Sequence, residues 1–234
     1  MLHILAPYRE PPDVATPPDI GTEKLSSPGA SRVHAYGETF RFTPVDRLGI
    51  WLSVRQVLRW AGDLRGKTIG DIGAGYRART TGALLDRVAL AYVADVSFAP
   101  EVVAHPKIRA VQGSLPASLK PIPSSSLDLV LCVSVLEHVA DAPGLLREIH
   151  RVLKPGGRAL INVPSWRGKW FLEFSAFKLH LSPASEMDDH KMYYDVKDLW
   201  PLLVAAGFKP SRIKCFAHKL SLNTFAVCDK DDHR

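Results

Sequence analysis

The segment Lys67-Thr-Ile-Gly-Asp-Ile-Gly-Ala-Gly-Tyr-Arg-Ala-Arg-Thr80 decides the fold of this chain. It begins with an apolar, β-prone run that ends in Asp71, turns at Gly73 and Gly75, and leads into a predicted helix from about Arg77. A strand, a glycine turn and a helix in this order are typical of a nucleotide-type pocket at the carboxyl end of a parallel strand. Glycine suits the turn because it lacks the Cβ that would obstruct a tight bend or a close approach of the backbone.

The next predicted strand, Ala91-Tyr-Val-Ala-Asp95, again ends in an acid. Asp95 lies 24 residues after Asp71, close to the ~20-residue offset at which a carboxylate binds ribose hydroxyls. The pattern also predicts strands at 68–72, 108–112, 127–133 and 158–163, and helices at 45–61, 78–88, 98–104 and 141–153. Strands that alternate with helices in this way indicate parallel βαβ units.

The C-terminal part departs from this alternation. A helix at about 196–206 precedes two β-prone runs at 211–217 and 222–228, which only four residues separate. Because a parallel crossover needs a much longer connection, the two runs are predicted to pair antiparallel. The sequence therefore predicts an α/β fold of the Rossmann-like, doubly wound type, with a mostly parallel seven-stranded sheet and an antiparallel C-terminal hairpin.

Composition excludes several classes of protein. The chain has 234 residues and a net charge of +6, but its Lys and Arg residues are scattered, so a nucleic-acid partner is not indicated. The three cysteines form no C-x-x-C pair, and no metal site is predicted. No secretory signal and no apolar run of ~18 residues occurs, which predicts a cytoplasmic protein without a transmembrane segment.

Domain organisation follows from the prolines. Residues 1–43 are predicted to be a disordered, proline-rich arm, and residues 44–234 a single domain with an insertion at about 164–190. The six prolines of the arm between residues 7 and 31 are Pro7, Pro11, Pro12, Pro17, Pro18 and Pro28.

Five short motifs occur in a fixed order between residues 67 and 228. They are the turn Asp71-Ile-Gly-Ala-Gly75, the acid Asp95, the fourth-strand segment Leu127-Asp-Leu-Val-Leu-Cys-Val-Ser-Val-Leu-Glu-His-Val139, the turn Leu153-Lys-Pro-Gly-Gly157 and the helix end Leu202-Leu-Val-Ala-Ala-Gly-Phe208. In this order they resemble the motifs of class I S-adenosylmethionine-dependent methyltransferases of the small-molecule type. The resemblance implies the strand order 3-2-1-4-5-7-6, with S-adenosylmethionine as the cofactor.

The resemblance also implies which residues bind the cofactor: Asp71, Gly73, Gly75, Asp95, Ser114, Leu115 and Val133. Two positions depart from the family's pattern. Arg77 stands where a third glycine is usual, and Ser114 stands where an acid often contacts the adenine amino group. A serine hydroxyl can form a hydrogen bond there, although a weaker one than a charged acceptor forms.

Two histidines are candidates for a catalytic base. His138 follows the fourth strand, and His190 lies in a polar segment that resembles a loop facing the active site in related enzymes. A structural role is the alternative for each of them. The fourth-strand segment lacks the Asn/Asp-Pro-Pro-Tyr element of methyltransferases that modify exocyclic amines of nucleic acids, and no Pro-Cys dipeptide of the cytosine C5 type occurs.

The insertion leaves three alternatives open. Trp170, Phe174, Phe177 and Leu181 recur at helical spacing, which indicates either packing on the domain or a lid over an apolar or lipid-linked acceptor. Peripheral membrane contact is the third alternative, because Arg167, Lys169 and Lys178 flank the aromatic residues.

The expected function is methyl transfer from S-adenosylmethionine to a small or lipid-linked acceptor. Two rivals stay open at this point. A nicotinamide-dependent oxidoreductase shares the glycine turn and the acid, and a non-catalytic binding protein would keep the fold without the reaction. The sequence indicates neither the acceptor nor the oligomeric state.

Overall fold

A computed structural model of the chain describes residues 34–38, 44–169 and 191–232. The helices are α1 (Pro44–Ala61), α2 (Arg79–Gly82), α3 (Pro100–Val103), α4 (Ala142–Val152) and α5 (Val196–Ala205). The strands are β1 (Thr68–Ile72), β2 (Leu90–Asp95), β3 (Ile108–Gln112), β4 (Leu127–Val133), β5 (Leu153–Pro164), β6 (Ile213–His218) and β7 (Asn223–Asp229).

The described strands form one seven-stranded sheet in the order β3-β2-β1-β4-β5-β7-β6. The first five pair in parallel, with Asp71 beside Val93 on one side and beside Leu131 on the other. β7 pairs antiparallel with both β5 and β6. The predicted sheet, its order and its antiparallel hairpin are therefore confirmed.

The core lies on the two faces of this sheet. One face packs against α4 and α5, where Leu145, Ile149, Leu199 and Leu203 are fully buried. The other face packs against α1 through Val57. Strands such as Val130–Cys132 are apolar without interruption because both of their faces are covered in this way.

The predicted helix at 78–88 is shorter than expected. α2 ends at Gly82, and the chain continues through two tight turns in which the amides of Leu84 and Arg87 bond to carbonyls three residues earlier. These turns bury Leu84 and Val88 in the same apolar cluster as Val57 of α1. Packing against α1 thus overrides the local helical pattern, because burying Leu84 and Val88 stabilises the fold by more free energy than one further helical turn would.

β5 begins earlier than predicted. The helix–strand turn expected at Lys154-Pro155-Gly156-Gly157 belongs to β5, because Leu153 already pairs with Leu127 of β4. The glycines of this segment bond to the C-terminal end: the Gly156 amide donates to the Lys230 carbonyl, and the Lys230 amide donates to the Gly157 carbonyl. Pairing with β4 therefore decides where this strand starts, and bonds to Lys230 hold its two glycines in place.

Two further predictions concern segments at the margins of the described ranges. The aromatic stripe at 170–181 lies outside the described residues. Residues 34–38, which fall within the predicted arm, are described and contact the domain. Among the described helices, none is long and apolar enough to cross a membrane.

Candidate functional site

The glycine turn follows β1 at the carboxyl edge of the sheet. Gly73 and Gly75 have φ angles of 71° and 75°, the left-handed region that residues with a Cβ seldom adopt. The Gly73 amide donates a 2.7 Å hydrogen bond to the Ala94 carbonyl of β2. A Cβ on Gly73 would overlap the side chain of Val135, which follows β4. The turn thus lies between the ends of β2 and β4, where only a glycine backbone fits.

Asp95 holds this turn against the end of β2. Its Oδ2 accepts a 2.8 Å hydrogen bond from the Gly75 amide, and its Oδ1 accepts a 2.7 Å hydrogen bond from the Val96 amide. The carboxylate is partly exposed at the end of β2, and an ionised carboxylate accepts hydrogen bonds from hydroxyl groups.

Asp71 is bonded within the protein behind the glycine turn. Its side chain is buried, and its Oδ2 accepts a 2.7 Å hydrogen bond from the Thr81 hydroxyl. Burial raises the pKa of Asp71 to about 6; the Thr81 hydrogen bond acts against this shift, and the negative charge of Asp95 adds to it. The carboxylate thus joins β1 to α2 behind the glycine turn, and its contact with a cofactor stays a prediction.

Residues 34–38 lie against the same edge. The Tyr36 carbonyl accepts a 3.0 Å hydrogen bond from the Tyr76 amide. The Glu38 carboxylate accepts from the Ser97 hydroxyl at 2.6 Å and from the Ala35 amide at 3.0 Å. Sequence reasoning missed this contact because no local pattern marks a segment whose partners lie about 40 to 60 residues further along the chain.

The segment after β3 completes the side of the edge next to Asp95. The Gly113 amide donates a 2.9 Å hydrogen bond to the Asp95 carbonyl, so β3 ends beside the acid. Ser114 is exposed, and its carbonyl accepts a hydrogen bond from the Ser118 amide. Leu115 is partly buried against the core on the α4 and α5 face. Ser114 is thus accessible to a ligand at this edge, whereas the Leu115 side chain packs partly against the core.

The segment after β4 closes the other side of the edge. Val133 is partly buried against the core on the α1 face, and a 3-10 turn follows at Leu136–His138. His138 is partly exposed on this turn, three residues after the Val135 side chain that faces Gly73. The structure therefore brings His138 to the same edge as Gly73, Gly75 and Asp95. His190 lies outside the described residues.

Arg77, the departure from the glycine pattern, is accommodated by an ion pair. Its guanidinium is 3.1 Å from the Glu101 carboxylate of α3, and both side chains are exposed. The backbone enters the left-handed region at the neighbouring residue, Ala78, whose φ angle is 43°. The arginine side chain therefore bonds at the surface and leaves the backbone path of the turn intact.

A surface cleft at the opposite edge of the sheet is a separate feature. Asp63, Asp128, Arg158 and Arg212 line it, near the amino ends of β1 and β4. Ligands of open parallel sheets bind outside the carboxyl ends of the strands, so this cleft is not the candidate site.

A sequence model described as a methyltransferase domain matches residues 70–161, from β1 to β5. This match covers the glycine turn, Asp95 and the segment after β4. Residues 70–161 therefore match a methyltransferase domain, and together with the sheet order they support a class I S-adenosylmethionine-dependent methyltransferase. The antiparallel β7 between β5 and β6 agrees with this assignment, since the usual dinucleotide-binding sheet has the order 3-2-1-4-5-6.

Relatives in sequence carry the name ubiquinone biosynthesis O-methyltransferase. The protein from Neisseria meningitidis is 23% identical over 185 residues, which cover 73% of this chain and 75% of that protein. The protein from Pseudomonas paraeruginosa is 28% identical over 117 residues, 47% of this chain. The chain spans about half the length of the Pseudomonas relative, 49%.

Solved structures of low sequence identity share the fold. A SAM-dependent methyltransferase from Archaeoglobus fulgidus superimposes with a TM-score of 0.57 at 14% identity, over 77% of this chain and 94% of that one. A phosphoethanolamine N-methyltransferase from Haemonchus contortus gives a TM-score of 0.59 at 16% identity, over 84% of this chain and 56% of that one. At such identities the superpositions describe the fold alone.

S-adenosylmethionine, the cofactor of the family, fits the residues at this edge. Gly73 and Gly75 let the backbone turn sharply at the carboxyl end of β1, the edge at which ligands of open parallel sheets bind. Asp95 presents a partly exposed carboxylate at the end of β2, the place at which a ribose is bound in sheets of this type. The described residues include no cluster of His, Cys, Asp and Glu suited to a metal ion.

Proposed function

We propose that this protein transfers a methyl group from S-adenosylmethionine to a hydroxyl oxygen of a small or lipid-linked acceptor. The contact between Asp95 and the Gly75 amide carries the proposal. It couples the acid that would bind the ribose to the turn that would approach the rest of the cofactor. The proposed cofactor site thus consists of Gly73, Gly75, Asp95 and Ser114, with Asp71 holding the turn from behind.

The reaction asks little of the protein beyond positioning. Bound S-adenosylmethionine supplies a methyl group that its sulfonium has already activated. The chain has to hold the acceptor in line with that group and exclude water, and positioning of this kind contributes up to ~7–11 kcal/mol. His138 and His190 are the proposed bases, because an oxygen acceptor is a poor nucleophile while it carries its proton.

The choice of oxygen as the acceptor atom rests on the relatives. Those of similar sequence are named as O-methyltransferases. Among the residues described at the carboxyl edge, no Asn/Asp-Pro-Pro-Tyr element follows β4. An exocyclic amine of a nucleic acid is therefore a weaker candidate for the acceptor.

A lipid-linked acceptor is supported by apolar side chains beside this edge. Leu220, at the β6–β7 connection, is 94% exposed, and the Ser165 hydroxyl donates a 2.7 Å hydrogen bond to the neighbouring Ser221 carbonyl. Trp166, which follows Ser165, is exposed, and its ring lies 5.6 Å from the Tyr193 ring in a tilted arrangement. Large apolar side chains gathered around a site favour an apolar ligand or a lipid surface. A cytoplasmic location stays a prediction from the sequence.

Calorimetry and a transfer assay test this function. We expect S-adenosylhomocysteine to bind the purified protein and NAD not to bind. A screen with cofactor labelled on the methyl group, followed by mass spectrometry of the labelled product, would then identify the acceptor. Binding of NAD alone would favour the oxidoreductase, and binding of S-adenosylhomocysteine without transfer to any acceptor would favour the non-catalytic binding protein.

A further inference from the structure

Asn162 is a buried amide on the face of the sheet that α1 covers. It pairs with Val133 of β4 on one side and with Phe225 of β7 on the other. Its side chain is 0% exposed, yet neither its oxygen nor its nitrogen has a hydrogen-bond partner among the described residues. Buried side-chain amides are rarely left without partners in a folded protein, because water satisfies them in the unfolded chain. Asn162 therefore lies at a place where an external partner is to be expected.

His218 is the second polar group next to Phe225. Its ring lies 5.7 Å from the Phe225 ring, centroid to centroid, and the Leu52 carbonyl of α1 forms a hydrogen bond with it. Its Nε2 atom is buried without a partner among the described residues. Since the other ring nitrogen serves the Leu52 carbonyl, Nε2 carries the lone pair of the neutral ring. Burial lowers the pKa of His218, and so does the charge of Lys219, which keeps the ring neutral.

Lys219 places a positive charge near His218. Its ammonium lies 4.0 Å from the position that a Cβ on Gly49 of α1 would occupy. Burial lowers the pKa of Lys219 to about 8, and the nearby carboxylate of Glu137, on the turn after β4, acts in the opposite direction. The group therefore remains mostly protonated at neutral pH.

The β6–β7 connection holds Lys219 there at a conformational cost. Lys219, Leu220 and Ser221 have φ angles of 49°, 57° and 68°, a run of three residues with Cβ atoms in the left-handed region. Such backbone is sparsely populated, and it persists where surrounding contacts fix it, commonly at functional sites. The connection is fixed by Ser165, whose hydroxyl bonds the Ser221 carbonyl and whose amide bonds the Leu222 carbonyl.

We propose that Asn162, His218 and Lys219 form an acceptor subsite that binds an anionic oxygen group, a carboxylate or a phenolate, of the molecule to be methylated. The subsite deepens the proposed function and rests on it, since Lys219 lies near Glu137 on the turn that also carries His138. The Lys219 ammonium would pair with the anion, and the Asn162 amide would donate to one of its oxygens. The neutral Nε2 of His218 would accept a hydrogen bond from a neighbouring hydroxyl of the acceptor.

Small aromatic probes test the subsite without knowledge of the natural acceptor. Benzoate carries the carboxylate, 4-nitrophenol carries an ionisable phenol with a coloured phenolate, and benzamide is a neutral analogue of benzoate. Binding of each is measured by calorimetry on the full chain, with and without S-adenosylhomocysteine. We expect benzoate or the nitrophenolate to bind and benzamide not to bind, and the probe that binds more tightly distinguishes the carboxylate from the phenolate.

Lys219→Met is the decisive variant, and Lys197→Met, at an exposed lysine of α5, is its matched control. We expect Lys219→Met to weaken binding of the anionic probe by roughly tenfold or more, since it removes the charged partner. Lys197→Met should bind as the unmodified protein does. Equal affinity of Lys219→Met and Lys197→Met, equal binding of benzamide, or no binding of either anion would each overturn the proposal.

Asn162→Leu separates a binding role from a structural one. If the amide serves a ligand, replacing it by an apolar side chain should raise the melting temperature of the free protein and weaken anion binding at the same time. A fall in melting temperature with unchanged anion affinity would show a structural role and contradict the subsite.

The two proposals fail in distinguishable ways. Should S-adenosylhomocysteine not bind, the proposed function fails, while anion binding in its absence still reports on the subsite. Should S-adenosylhomocysteine bind and methyl transfer occur, but with no effect of Lys219→Met on the affinity for the anion, only the subsite fails.

Discussion

The Asp95 carboxylate accepts a 2.8 Å hydrogen bond from the amide of Gly75, twenty residues earlier in the chain. This bond joins the end of β2 to the turn after β1, so the acid proposed to bind the ribose and the glycine turn form one unit. We therefore expect a change at Asp95 both to weaken cofactor binding and to destabilise the turn. A control variant is needed to separate the two effects.

Asp95→Ala should weaken binding of S-adenosylhomocysteine by at least roughly tenfold, because hydrogen bonds to a charged group contribute about 1.5–3 kcal/mol each. The melting temperature of the free protein should fall as well, since the Gly75 and Val96 amides lose their acceptor. Calorimetry and thermal melts measure the two effects. Asp86→Ala, at an exposed acid, is the control, and equal cofactor affinity in the two variants would remove Asp95 from the cofactor site.

Gly73→Ala should destabilise the domain by more than Gly62→Ala does. Both glycines have a φ of 71°, but a Cβ on Gly62 meets no atom within 4 Å, whereas one on Gly73 overlaps Val135. Gly62→Ala thus measures the cost of the left-handed backbone alone, about 1–2 kcal/mol. Urea unfolding should show a further loss of about 1–3 kcal/mol for Gly73→Ala, from overpacking.

A second change tests the origin of that loss. Adding Val135→Ala to Gly73→Ala removes the overlapping methyl groups and should recover part of the stability. If the double variant loses as much stability as the two single variants together, the overlap with Val135 is not the cause of the loss.

Asp71→Asn should alter the dependence of stability on pH. Burial raises the pKa of Asp71 from 3.8 to about 6 in the folded chain, so the folded state holds a proton that the unfolded state loses between these values. Stability should therefore fall as pH rises through this window, by an amount on the order of 3 kcal/mol. Urea unfolding between pH 4 and about 7 should show this decline in the unmodified protein and a smaller one in Asp71→Asn. Asp86→Asn should retain the full decline.

His138→Ala or His190→Ala should lower the rate of methyl transfer by ~10²–10⁴-fold, the usual loss on removing a general base. Cofactor affinity should persist, and the acidic limb of the rate profile should disappear in the affected variant. His105→Ala, at the opposite edge before β3, is the control. Near-normal rates in both variants at every pH would mean that catalysis proceeds by positioning alone.

The sequence alone predicted the sheet and the resemblance to methyltransferases. Periodicity and turn residues predicted β1, β3 and β4 with the bounds that the structure has, because buried parallel strands are continuous apolar runs that end abruptly at turns. The short gap before β7 predicted the antiparallel hairpin, since chain length limits how two strands can be joined. The glycine turn and Asp95 marked the candidate site because a tight bend and a ribose each require a particular residue type.

Only the tertiary structure decided which side chains meet. It joined the Asp71 carboxylate to the Thr81 hydroxyl, ended α2 at Gly82, and placed Tyr36 against the glycine turn. It also left Asn162 buried without a partner next to the strand that ends at His218. These outcomes depend on contacts between residues far apart in the chain, and local periodicity, which reports only neighbouring positions, carries no information about such contacts.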